Sequence, residues 1–314
     1  MTVLEPPQST FEWLNFKQPA VRDLAFALAS PPLLAHWPEM LAPTQSIDLP
    51  NFTFWQEHYH RYLPRLQKLD NDPSVLNQVL TDLPSTRLGI RFEALLSFWL
   101  KDQSDPWHDF ELLAQNIQLK DHKRTIGEID FLIKNKLTGE IEHWELSLKF
   151  YLGEGHLEPF EWRGLNDRDT FGRKIKHTVE RQFNVNEIEH DVLGKLLIQK
   201  RRAVFKGRLF YPDTALNSGV ATQNHLDWLH PAHLRGSWGY QLPHNINWRR
   251  AARREWLTPE AQDRDDMRPR FLTHGLYLGY PLDLTNSSLT MIPIERMIRL
   301  PIRRIPYLTS LYKH

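Results

Sequence analysis

Hydrophobic positions along this chain recur with two different periods. Over residues 10–80 they fall into helix-like groups broken by proline. Residues 20–30 are apolar and stop at Pro31-Pro32, and residues 54–69 read as a polar-aromatic helix. Residues 85–101 (STRLGIRFEALLSFWLK) predict a cleaner helix, with Leu88, Phe92, Leu95, Leu96 and Trp99 on one stripe and Ser85 or Thr86 as its cap. The period then drops to two. Residues 112–120, 127–134 (GEIDFLIK) and 140–152 (EIEHWELSLKFYL) predict three strands in a meander, with Lys136–Gly139 as a turn. A helix over about 167–183 follows, then a second short helix, then residues 203–211 (AVFKGRLFY) as a strand. The fold expected is mixed α/β, with a helix–three strands–helix–strand core over roughly 81–212. A helical extension (1–80) precedes it, and a Trp/Arg/Pro-rich region (213–314) packs on it.

The third predicted strand carries the chemistry. Its alternation puts Trp144, Leu146, Leu148 and Phe150 on one face and His143, Glu145, Ser147 and Lys149 on the other. Glu145 and Lys149 lie two pleats apart, about 13 Å at strand rise, so they are not simply a local ion pair. On the preceding strand Ile129, Phe131 and Ile133 share a face, while Glu128 and Asp130 point the other way. In a hairpin, Asp130 falls across from the polar row. Two carboxylates meeting there repel one another, which favours a hard divalent cation, Mg²⁺ or Mn²⁺, between them. A water on such an ion, beside an ammonium, is a hydrolytic nucleophile. For any one of these charges a solvated sheet face is the blander account; the joint pattern points to catalysis. Glu93 sits at the edge of the 85–101 stripe, where a carboxylate is costly unless partnered. It is either a further metal ligand or a boundary glutamate paired with Arg91 or Arg87.

Composition narrows the picture. Hydrophobic residues at 41% and charged residues at 25% are ordinary globular values and exclude a disordered or collagen-like chain. The absence of cysteine excludes disulfides, thiolate zinc sites and cysteine nucleophiles, and suits a reducing cytoplasm. The N-terminus lacks a basic start before an apolar stretch, and no apolar run approaches the ~20 residues of a membrane helix, so a soluble intracellular protein is expected. The net charge of +1 hides an asymmetry: residues 201–314 hold 17 Lys+Arg against 9 Asp+Glu, and residues 1–200 hold 22 against 29. A basic C-terminal third suits a polyanionic partner. Phosphate loops, nucleophile elbows and HExxH are absent, and His58 and His60 have no convincing third ligand.

GEID, a turn, and then a strand with a carboxylate and a lysine on one face resembles the signature of the PD-(D/E)XK nuclease superfamily. Longer segments resemble an uncharacterised bacterial family assigned to that superfamily: VRDLAFALASPPLL (21–34), LGIRFEALLSFWL (88–100), ELLAQNIQL (111–119), GEIDFLI (127–133), EHWELSLKFYLG (142–153) and REWLTP (254–259). The resemblance implies a Mg²⁺-dependent nuclease acting on DNA, in repair, recombination or defence. It implies that Asp130 and Glu145 bind the ion, that Lys149 orients or deprotonates the attacking water, and that Glu93 is the acidic residue often found on the first helix. The chain departs from the signature in spacing: acid and lysine are four residues apart, with Ser147 between them. Either Ser147 replaces the lysine, or it replaces the acid and Glu145 is displaced.

Two basic clusters complete the candidates. Lys174, His177 and Arg181 form one helical stripe with Gln182 beside it, and in the superfamily's usual arrangement that helix borders the active site. Residues 247–257 (NWRRAARREWL) group Arg249, Arg250, Arg253 and Arg254 on one side of an expected helix, suited to phosphate contacts. Solvated basic faces are the alternative for both. The runner-up function is a catalytically weak or inactive version of the fold that binds nucleic acid or a protein partner; a scaffold and a homodimer also stay open.

Overall fold

In the computed structural model of the protein, the described residues are 8–102, 108–121, 124–166, 168–213, 226–259, 274–280 and 295–300. Among the described residues, four α-helices precede the sheet. Helix α1 (Pro19–Ala29) starts on a proline, ends before Pro31-Pro32 and is buried from Ala20 to Ala29. Helix α2 (Phe52–Asn71) is capped by Asn51, whose side chain accepts the Phe54 N–H at 2.8 Å. A short α3 (Ser74–Thr81) leads into α4 (Leu88–Lys101), whose Phe92, Leu95, Leu96 and Trp99 are buried as the 3.6-residue period requires. The expected cap on α4 differs: Arg87 is the N-cap residue, and Ser85 Oγ accepts the Arg87 N–H at 3.2 Å.

The strands are β1 (Phe110–Asp121), β2 (Arg124–Asn135), β3 (Ile141–Gly153) and β4 (Trp162–Arg163). They continue as β5 (Glu187–His190), β6 (Gly194–Leu197), β7 (Lys200–Pro212), β8 (Arg235–Gly239), β9 (Asn247–Arg250), β10 (Gly275–Tyr280) and β11 (Glu295–Arg299). Between β4 and β5 runs α5 (Phe171–His177), which continues as one π-helical turn, Thr178–Gln182. The expected start of this helix at Asp167 lies outside the described residues.

Strands β1, β2 and β3 form the antiparallel meander, and β7 returns parallel to β3 over eleven residue pairs, Glu142↔Lys200 to Leu152↔Phe210. The sheet then continues through β8, β11, β10 and β9, with β4 attached to β3, making nine strands among the described residues. The C-terminal third therefore contributes strands to the same mixed sheet. Strands β8, β10 and β11 are not expected from the sequence, because short strands bounded by Gly and Pro carry little periodicity, and β9 falls where a helix is expected.

Helices α1, α2 and α4 cover one sheet face, where Phe26, Trp55 and Trp99 meet Phe131, Ile133, Trp144 and Leu146. On the other face Phe171, Ile175 and Phe183 of the α5 segment pack on Tyr151, Ala203 and Phe205. A buried ion pair fixes the start of β3: Glu142 receives Arg202 Nε at 2.6 Å, Trp144 Nε1 at 2.7 Å and Asn135 Nδ2 at 3.0 Å. Arg202 Nη2 adds a fourth donor at 3.3 Å, so both carboxylate oxygens are fully served and this burial is tolerated. No helix among the described residues is long and apolar enough to cross a membrane.

Three local expectations are corrected. The second short helix is the hairpin β5–β6, whose Ile188, with the following Ile198, packs on Ile129 and Leu132 of β2. Period-two burial decides it, and Gly194 (φ +71°) makes the turn. The segment 247–257 is not a helix: β9 pairs with β10, and only Arg253–Trp256 forms a 3₁₀ turn. Finally, Ile129 does not share a face with Phe131 and Ile133. It joins the hairpin-side cluster while they face the helices. Between Ile129 and Phe131 the strand rotates, and that point is Asp130.

Candidate active site

The ladder between β2 and β3 runs from Lys134↔Ile141 to Phe131↔Trp144 and stops there. On the other side, β1 pairs with β2 at Gln115↔Phe131 and Ile117↔Ile129 but not at Asp130, where the residue between them, Asn116, is left-handed (φ 54°). Asparagine tolerates this conformation better than most residues. Asp130 therefore sits in a fork of the sheet, next in register to Glu145. Its Oδ2 accepts the main-chain N–H of Leu146 at 2.7 Å, a donor that the parted ladder leaves available.

Glu145 is buried, and both its oxygens are engaged. Oε1 meets His143 Nε2 at 2.6 Å, and Oε2 accepts from Gln182 Nε2. Gln182 Oε1 in turn accepts from Thr178 Oγ1 at 2.6 Å and Lys174 Nζ at 2.9 Å. The π turn of α5 carries both Thr178 and Gln182, an insertion of the kind that recurs at functional sites.

The electrostatics follow from this crowding. Burial, then the charge of Glu145, pushes Asp130 up to about 7. Burial raises Glu145 well above the carboxylate range, against the opposing pull of Lys174 and hydrogen bonds from Asp130. Lys174 is pulled down by burial, with Glu145 and Asp130 opposing. Burial lowers His143 to about 3, so its ring is neutral. The tautomer with hydrogen on Nε2 serves Glu145 and leaves the unpartnered Nδ1 without a proton to place. Glu93 is raised to about 7 by burial, then by the charges of Asp130 and Glu128, which puts it within electrostatic reach of the fork. It is not the partner of Arg91, which binds Asp23 at 2.7 Å instead.

Lys149 takes a different partner. Its Nζ lies 2.9 Å from Asp169 Oδ2, and Tyr151 OH donates to Asp169 Oδ1 at 3.1 Å. Ser147 is buried on the same strand, opposite Phe205 of β7. His177 and Arg181 are exposed on α5. The C-terminal arginines separate: Arg249 is buried in a two-pronged pair with Glu255 (2.8 and 2.7 Å), while Arg250, Arg253 and Arg254 are exposed. Arg249 is thus removed from the expected phosphate cluster, because its guanidinium is committed inside the fold.

Sequence reasoning missed Asp169, Tyr151 and Thr178, and gave His143 no role. The only signal for His143 was its place in the polar row of β3. Among the described residues no group of three or more His, Asp or Glu side chains is gathered closely enough to hold a metal ion. An ion at the fork would rest on two carboxylates and water, the ligand set Mg²⁺ commonly takes. A groove of about 710 Å³ lined by Met40, Gln45, Phe160, Lys176, Val179 and Asn184 follows the other flank of α5 and does not reach the carboxylates.

The architecture is that of a mixed α/β protein with a carboxylate pair, Glu145 buried and Asp130 half-buried, at a fork in its sheet. The chain matches the model of a domain of unknown function, DUF1853, over residues 22–279, and belongs to that family. No curated protein and no solved structure matches it.

Proposed function

We propose that this chain is a metal-dependent nuclease that hydrolyses phosphodiester bonds of DNA on a PD-(D/E)XK-type core. The observation that carries the reading is the juxtaposition of Asp130 and Glu145 at the β2–β3 fork, with the Lys174 ammonium one amide away. The order α4, β1–β3, α5, β7, with β7 parallel to β3, supports it. Asp130 and Glu145 would hold Mg²⁺ or Mn²⁺, with Glu93 as the nearby third carboxylate. The donor set fits such an ion: these are hard oxygens whose ionised forms are disfavoured by burial and mutual repulsion, which a divalent charge relieves. When bound, the ion supplies charge neutralisation and a water of lowered pKa. Exposed His177, Arg181, Arg250, Arg253 and Arg254 offer contacts to the phosphate backbone. The absence of cysteine suits work in the cytoplasm.

A second reading is a non-cutting module of the same fold that binds nucleic acid or a protein. It is favoured by the engagement of both Glu145 oxygens by His143 and Gln182. Incubation of the purified chain with single- and double-stranded DNA and Mg²⁺ or Mn²⁺ separates the two. The nuclease reading expects cleavage that chelator and Asp130→Ala abolish. DNA binding without cleavage, unaffected by Asp130→Ala, selects the second reading.

A further inference from the structure

We infer that Lys174, and not Lys149, is the ammonium that acts at the carboxylate pair, an inference that rests on the nuclease reading above. The signature lysine is ordinarily sought on the strand of the acid, and β3 offers Lys149. That side chain is spent: its Nζ is 2.9 Å from Asp169 Oδ2, and the same carboxylate takes the hydroxyl of the buried Tyr151 at 3.1 Å. An ammonium paired with its own carboxylate offers less charge to a third group. Lys149 is not among the charges acting on Asp130 or Glu145, although it and Asp169 both act, in opposite senses, on Lys174.

Lys174 reaches the opposite situation from α5. Its Nζ donates to Gln182 Oε1 at 2.9 Å, and the other end of that amide donates to Glu145. The donor-only ammonium at one end and the Glu145 acceptor at the other fix the orientation of the amide, and Thr178 Oγ1 donates to the same Gln182 oxygen at 2.6 Å. The chain of contacts Lys174–Gln182–Glu145 spans from helix to strand without passing through solvent-exposed rim residues. Among the described residues, Lys174 is also the lysine whose charge acts on all three carboxylates, Glu93, Asp130 and Glu145. The spacing puzzle of β3 then has a physical answer. Two residues after the acid stands Ser147, a short side chain on the face that α5 covers, and the ammonium arrives from the helix instead of the strand.

In the step proposed, a water oxygen forms a new bond to phosphorus as the bond to the departing deoxyribose oxygen breaks, its electron pair going to that oxygen. Lys174 donates hydrogen bonds to the water and to a non-bridging phosphate oxygen and keeps its own proton. The water's proton passes to solvent, and the departing oxygen takes one from solvent.

The test uses the full chain with DNA and Mn²⁺, comparing Lys174→Met with Lys149→Met, and Lys174→Gln as a second variant should Met disturb packing. Loss of a positioned donor to developing charge should slow cleavage about a hundredfold or more in Lys174→Met, with Lys149→Met losing less than about tenfold. Calorimetry supplies a readout that needs no cleavage. Removing an ammonium that competes for the carboxylates should tighten Mn²⁺ binding about fivefold or more in Lys174→Met, while Lys149→Met leaves it unchanged. Cleavage that survives Lys174→Met but is lost in Lys149→Met overturns the assignment, as does unchanged Mn²⁺ affinity in both Lys174 variants. A wild type that binds Mn²⁺ but cuts nothing removes the nuclease reading, and the Mn²⁺ comparison alone then decides where Lys174 acts. A wild type that neither cuts nor binds Mn²⁺ overturns both.

Discussion

Asp130 on β2 accepts the main-chain N–H of Leu146 on β3 at 2.7 Å, just past the last ladder pair, Phe131↔Trp144. One carboxylate oxygen thus does structural duty where the strands part, while the side chain also hydrogen-bonds Glu145, the other carboxylate of the fork. This divides the two consequences of changing the residue. Asp130→Asn keeps an acceptor for Leu146 and should cost little stability. Asp130→Ala leaves that N–H short of a partner and should cost about 1–2 kcal/mol. Both should lose divalent-cation binding. Denaturant unfolding and Mn²⁺ calorimetry on the pair check this; an Asn variant that retains Mn²⁺ affinity would remove Asp130 from the ligand set.

Stability should fall as pH rises through neutrality. In the folded chain Asp130 and Glu93 titrate near about 7, and Glu145 is raised as well. Unfolded carboxyls titrate near about 4. Between these limits the folded state holds protons that the unfolded state has lost, so ΔG of unfolding decreases with pH and levels off only above the folded values. The buried histidines act oppositely. His143 is lowered to about 3 and His58 to about 4, both by burial, so their contribution grows with pH and is complete above the unfolded value of about 6.5. From about pH 6.5 to about pH 8 the carboxyls are opposed by Lys206 and Lys174, which burial holds below the usual lysine range. Asp130 and Glu93 titrate inside that window, so Tm in chelator should decline over it. Asp130→Asn should flatten the decline, and Mn²⁺ should reverse it at the upper end. A Tm that climbs through the same window would mean the fork carboxyls are ionised already.

The parts legible in the sequence were those with a strong period. The α4 stripe of Phe92, Leu95, Leu96 and Trp99 is buried as read. The alternation of β3 set Trp144 and Leu146 against the helices and Glu145 against α5. What escaped was set by single long-range contacts. Nothing in residues 164–170 announces that Asp169 will claim Lys149, since that contact depends on how the loop before α5 closes, with Gly164 N–H on Asp169 O at 2.8 Å. Nor does NWRRAARREW disclose that Arg249 turns inward to Glu255; the arginine count suggested a helix with one basic face. The rotation of β2 at Asp130 stands opposite the left-handed Asn116 on the neighbouring strand, a feature that no pattern within β2 can report.

Gly207 on β7 should tolerate no side chain. It stands opposite Lys149 with φ +136°, and a Cβ there would lie 1.8 Å from the Lys149 carbonyl oxygen. That oxygen belongs to the main chain and has no flexible end to move aside. Backbone strain and a main-chain clash together place Gly207→Ala at about 2–4 kcal/mol of lost stability. Because β3 would have to shift away, the fork should loosen too. Thermal unfolding checks the first effect and Mn²⁺ affinity the second; a variant of native stability would contradict the close approach of β3 and β7 at this point.

The four C-terminal arginines should part company on mutation. Arg249 is buried, and its two terminal nitrogens meet Glu255 at 2.8 and 2.7 Å, with Tyr280 OH at 3.4 Å. Glu255 also accepts the Ala252 N–H at 2.8 Å, so the pair ties β9 to the 3₁₀ turn that follows it. Removing one partner of such a pair strands a buried carboxylate, a loss of about 3–5 kcal/mol. Arg249→Gln should therefore lower Tm sharply whatever the ligand. Arg250, Arg253 and Arg254 are exposed, so their replacement by Gln should leave stability within about 0.5 kcal/mol. Each that contacts a phosphate should reduce the slope of log affinity against log salt by about one when lost. The informative experiment is DNA binding across a salt series for the triple variant Arg250→Gln, Arg253→Gln, Arg254→Gln. A slope flattened by about two to three assigns these side chains to the backbone track. A slope equal to wild type would exclude these three arginines and leave the exposed His177 and Arg181 of the α5 segment as the remaining candidates for backbone contact.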